Sequence, residues 1–74
     1  MNAEKTGRFL SDCRKKQGLS QKELAEKLHI TDKAISKWER GKSFPDISML
    51  IPLAEALEVS LYDILTGGED DEQK

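Results

Sequence analysis

Only three residues, His29-Ile30-Thr31, separate two short stretches of helical apolar spacing in this chain. The first stretch opens at Ser20-Gln21-Lys22-Glu23, where the serine oxygen can accept from the amide three residues on and Glu23 can reach back to the serine amide. Leu24, Ala25 and Leu28 then form its apolar stripe. The second stretch has Thr31 as its cap and Asp32 in its first turn, where negative charge suits the positive end of the helix dipole. Its apolar pair is Ile35 and Trp38. Two short helices joined by so tight a link must cross at a large angle.

The remaining segments also carry helical spacing, and none alternates apolar and polar residues as a strand would. Phe9, Leu10, Cys13 and Gln17 fall on one side of a first helix capped by Asn2, with Gly7 inside it at a cost of about 1 kcal/mol and Gly18 just past its end. After Gly41, Ser43-Phe44-Pro45 is a loop, and Asp46 caps a fourth helix with the stripe Ile47, Leu50, Ile51, Ala54 and Leu57. Pro52 lies inside that helix and removes one backbone bond. Ser60-Leu61-Tyr62-Asp63 repeats the capping pattern and opens a fifth helix with Leu61, Ile64 and Leu65, broken at Thr66-Gly67-Gly68. The expectation is an all-α, compact five-helix domain over residues 1–66. An acidic, disordered tail is expected over 67–74, because Glu69 to Lys74 contains no apolar residue.

A chain of 74 residues makes one domain with a small core. The run Ile47–Ala54 contains Ser48 and Pro52 and is far short of the roughly 18 apolar residues of a membrane span, so no membrane partner is expected. The first residues do not resemble a signal peptide. Cys13 is the single cysteine, which fits a reducing, cytoplasmic setting and excludes a disulfide scaffold. A lone His29 without cysteine or a second histidine beside it is not a metal site, and no cofactor motif is present. No nucleophile–base set or paired carboxylates appear, so an enzyme is not expected.

The formal net charge is −2, which on its own does not suggest a nucleic-acid binder. The distribution does. Residues 8–42 hold ten Lys and Arg against five Asp and Glu, a net of +5. Residues 43–68 hold four acids and no base, and residues 69–74 carry −3. Within the basic half, at about 100° per residue, Lys33, Ser36, Lys37 and Arg40 share one arc of the third helix, opposite Ile35 and Trp38. Three cations on a helix face are commonly just a solvated surface. Here they are flanked by Ser20 and Gln21 at a helix N-terminus, where free amides favour a phosphate, and by Gly41-Lys42-Ser43. Crossed helices with such a second helix form a helix-turn-helix, whose second helix can enter a DNA major groove.

Residues 19–65, with Gln21, Ala25, Ile35 and Trp38 at their spacing and Lys37-Trp38-Glu39-Arg40-Gly41-Lys42-Ser43 followed by Pro45, resemble the helix-turn-helix domain of phage Cro and phage repressors, the XRE family. The resemblance covers about residues 5–66. It implies a lambda-repressor-like five-helix bundle that binds a double-stranded operator, often as a two-fold homodimer. The family's base-reading positions fall on Asp32, Lys33 and Lys37, with Thr31 and Ser36 beside them. Its phosphate-contacting positions fall on Ser20, Gln21, Lys42 and Ser43, and Arg40 joins these on the cationic face. Lysines at 33 and 37 suit the acceptor edge of guanine. Asp32 either accepts from cytosine or serves the helix dipole. Arg14 and Glu39 match a structural salt bridge of the family. Two positions depart from its pattern. His29 stands where glycine is usual at positive φ, and lysines stand where related proteins often read with glutamines.

Leu61, Tyr62 and Leu65 are the expected dimer surface. The competing function is a protein-interaction module, such as an antitoxin or a regulator-binding domain. Such a module has no need of the polar face at Lys33, Ser36, Lys37 and Arg40.

Overall fold

The structure is a computed structural model that describes residues 2–68. Of the tail expected over 67–74, Gly67 and Gly68 instead form the turn that ends α5, with Gly68 N donating to Asp63 O at 2.8 Å, and the rest, from Glu69 onward, lies outside the described residues. Among the described residues there are five helices and no strand: α1 (Ala3–Lys16), α2 (Gln21–Leu28), α3 (Asp32–Glu39), α4 (Ile47–Leu57) and α5 (Leu61–Thr66). None of them is long and apolar enough to cross a membrane.

The helices begin where short polar side chains replace missing backbone partners. Asn2 Oδ1 accepts from Lys5 N at 3.0 Å, Ser20 Oγ from Glu23 N at 3.0 Å, Thr31 Oγ1 from Ala34 N at 3.3 Å and Ser60 Oγ from Asp63 N at 3.0 Å. Asp46 stands at the cap position of α4 but its side chain makes no capping bond. All five helices end alike. A residue in the left-handed region (Gly18, His29, Gly41, Glu58, Gly67) is followed by an amide that reaches back to a carbonyl of the last turn, for example Ile30 N to Ala25 O at 3.0 Å. His29 sits at φ 58° and Glu58 at φ 60°, a region in which a side chain costs energy.

The core collects Leu10 and Cys13 of α1, Leu24, Ala25 and Leu28 of α2, Ile35 and Trp38 of α3, Leu50, Leu53, Ala54 and Leu57 of α4, and Ile64 of α5. Burial raises the pKa of the Cys13 thiol, so the group stays neutral and packs as a small apolar residue. The stripe expected on α4 is rotated. Ile47 and Ile51 are exposed, whereas Leu53 is buried. The buried set Leu50, Leu53, Ala54, Leu57 follows i, i+3, i+4, i+7, and this places both isoleucines on the flank.

Helix α1 packs on α3, α4 and α5, while α2 packs on α3 and α4. At Gly7 the α1 backbone meets α3 directly: a Cβ there would collide with the Trp38 carbonyl oxygen and lie 2.8 Å from that of Glu39. The helical glycine that propensity counts as a cost is what lets α1 approach α3 this closely.

Candidate nucleic-acid interface

Ile35 and Trp38 are 1% and 7% exposed and anchor α3 to the core. They leave Asp32, Lys33, Lys37 and Arg40 in solvent, with Ser36 half-buried. Thr31, Lys33, Ala34, Ser36, Lys37, Trp38 and Arg40 line an open groove of about 490 Å³ along this helix. Lys33 and Lys37 have no acidic partner among the described residues, so their charge is directed at solvent. Thr31 alone supplies the side-chain cap of α3, and the Asp32 side chain makes no hydrogen bond among the described residues. Its carboxylate therefore remains available as an acceptor beside the helix dipole.

The end of α3 is fixed by a polar cluster around Glu39, whose side chain is 7% exposed. Arg14 Nε donates to Glu39 Oε2 at 2.7 Å and Arg14 Nη2 donates to Glu39 Oε1 at 3.1 Å. Arg14 Nη1 donates to the Leu19 carbonyl at 2.8 Å, so all three guanidinium nitrogens are engaged within the protein. The hydrogen bond to Glu39 raises the Arg14 pKa, against the opposing effect of burial. Gln21 Nε2 is the third donor, at 2.9 Å from Glu39 Oε1. This contact is not evident from spacing along the chain. It exists because α2 crosses α3 so that the first residue of one meets the last of the other, and it sets the direction of the Gln21 amide.

The N-terminus of α2 is partly used. Ser20 N donates to Glu23 Oε1 at 2.8 Å and Ser20 Oγ accepts from Glu23 N, which leaves the serine hydroxyl hydrogen and the next two amides without an acceptor among the described residues. Those bonds from Ser20 lower the pKa of Glu23. Beyond α3, Gly41 at φ 73° turns the chain, and Lys42 N returns to Lys37 O at 3.0 Å. The turn holds the exposed Lys42 and half-buried Ser43 against the end of the cationic helix. Ser20, Gln21, Lys42 and Ser43 thus flank α3 from its two neighbouring segments, while Thr31 stands at its start.

Comparison with known proteins agrees with this geometry. The helix-turn-helix family model matches residues 10–64. The chain is 37% identical over 60 residues to the HTH-type transcriptional activator BcrR of Enterococcus faecalis, covering 81% of this chain and 29% of that protein. It is 42% identical over 64 residues to the uncharacterized HTH-type transcriptional regulator YqaE of Bacillus subtilis, covering 86% and 54% respectively. The chain therefore spans about half or less of the length of these relatives. A crystal structure of the P22 c2 repressor protein in complex with a synthetic operator superposes with a TM-score of 0.80 at 32% identity, covering 84% of this chain and 94% of the repressor chain.

Proposed function

The chain belongs to the helix-turn-helix family of the phage-repressor type, and from that premise we propose that it is a sequence-specific DNA-binding transcriptional regulator that inserts α3 into the major groove of an operator. The observation that carries this reading is the solvent face of α3. Lys33, Lys37 and Arg40 stand exposed on a helix whose opposite side is fixed in the core by Ile35 and Trp38. Lys33 and Lys37 donate to guanine acceptors, Asp32 accepts from cytosine, and Thr31 and Ser36 border them. Ser20, Gln21, Arg40, Lys42 and Ser43 contact phosphates and set the register of α3. Arg14 and Glu39 hold the scaffold and do not touch DNA. Residues 1–66 are the DNA-binding unit, and occupancy of the operator by that unit represses.

In the same proposal the domain binds as a two-fold homodimer. Support comes from Ile47, Ile51, Leu61 and Tyr62, which are 86%, 61%, 38% and 67% exposed on the packed pair α4 and α5. Leu65, expected with them, is half-buried against the core instead. Selection of duplexes from a random pool tests the function. A palindrome with half-sites about one helical turn apart supports it. No enriched sequence, or unaltered binding of the enriched duplex by Lys37→Ala, overturns it.

A further inference from the structure

This inference rests on the proposed orientation of α3 toward a duplex and concerns Ser36. Arg40 closes α3 at its C-terminal cap, and its Nε donates to the Ser36 carbonyl oxygen at 3.3 Å and to Ser36 Oγ at 3.2 Å. These bonds lay the side chain back along the helix by one turn, onto the groove it shares with Lys33 and Lys37. Nη1 and Nη2 of Arg40 have no acceptor among the described residues. A guanidinium held by its Nε keeps a planar two-nitrogen edge, which matches a pair of phosphate oxygens. An ammonium held by the same serine would keep two N–H donors on one nitrogen but no planar two-nitrogen edge.

We propose that Ser36 is a positioning residue that orders Arg40 before DNA arrives, so that Nη1 and Nη2 grip one backbone phosphate as a bidentate clamp, and that the Ser36 hydroxyl does not read a base. Ordering a long side chain in the free protein removes part of what association must otherwise spend on immobilising it. A phosphate contact carries no sequence information, so its loss weakens every duplex equally.

The test measures affinity against salt concentration for the selected duplex and a random duplex. It compares the parent, Ser36→Ala, Ser36→Thr, Arg40→Lys, Arg40→Ala and the double variant Ser36→Ala/Arg40→Lys, with unfolding midpoints confirming that each is folded. Ser36→Ala removes the hydroxyl acceptor and leaves Nε only the carbonyl of residue 36, so it should weaken both duplexes by about three- to tenfold, the effect of loosening one long side chain. Ser36→Thr, which keeps the hydroxyl, should restore binding. In the Arg40→Lys background Ser36→Ala should change affinity by less than about twofold, because no fork remains to be ordered. Arg40→Ala should reduce the salt slope by about 0.9, the effect of one phosphate contact. Equal losses from Ser36→Ala in the parent and in the Arg40→Lys background overturn the assignment, as does a changed base preference in Ser36→Ala. If Lys33→Ala and Lys37→Ala also leave binding unaltered, the orientation of α3 fails. If those lysines are required and only the coupling is absent, the role of Ser36 fails alone.

Discussion

Helices α3 and α4 both bury an apolar stripe, yet they are held by different forces. Helix α3 is fixed by directional contacts: the Arg14–Glu39–Gln21 cluster at its end, the backbone approach at Gly7 and the Thr31 cap. Helix α4 has no side-chain cap and contains Pro52, and its fixed contacts are Leu50, Leu53, Ala54 and Leu57 in the core. Their outer faces differ as well. Helix α3 shows cations, whereas α4 shows Ile47 and Ile51. The helix that displays the exposed cations is held by bonds with angles, and the one that supplies bulk to the core is held by burial.

The comparison breaks most readily at Glu39. Glu39→Ala strands the buried guanidinium of Arg14 and releases Gln21, and should cost about 4 kcal/mol in denaturant unfolding, as for one partner taken from a buried pair. The double variant Arg14→Met/Glu39→Met should cost less than either single change. If it costs more, the cluster is net stabilising and the contrast with α4 is one of strength. On α4, Leu53→Ala should cost about 3 kcal/mol while Ile51→Ala stays within about 0.5 kcal/mol, measured the same way at low protein concentration. On the outer faces, Lys37→Ala should lose about 1–3 kcal/mol of affinity for the selected duplex by anisotropy, whereas Glu55→Gln should lose none. The two left-handed ends offer a smaller effect: His29→Gly after α2 and Glu58→Gly after α4 should each raise stability by about 0.5–1 kcal/mol.

The smallest effect is a slope. The bonds from Ser20 lower the Glu23 pKa, so the stability this group adds is complete above the ordinary glutamate value of about 4.3 and is lost as pH falls through the lower folded value. Glu23→Gln should flatten the acid side of the stability–pH curve. An unchanged curve would mean that the capping box is not maintained in solution.

Much of this was legible in the sequence because it is local. Ser20 with Glu23, Thr31 and Ser60 with Asp63 act within one turn, and the division of α3 between Ile35 and Trp38 on one side and its lysines on the other follows from helical spacing. What depends on how helices cross was not. The Gln21–Glu39 bond joins residues 18 positions apart and needs the α2–α3 angle. The face α4 buries needs its neighbours α2 and α5 to choose among adjacent apolar positions, and two isoleucines placed inside by pattern alone lie outside. Glu58 gave no signal of its own, since a glutamate is an uncommon residue for a left-handed end.

The contact at Gly7 has a mechanical consequence. With backbone against backbone, α1 and α3 have no layer of side chains between them at that point, and so no rotamer whose change would let α3 roll or slide. At that point the two helices are coupled backbone to backbone and move together. Under the proposed docking of α3, a duplex that fits it imperfectly would have to adjust through its own bending and groove width, so the flexibility of the intervening base steps would enter the choice of site even where no side chain reaches them.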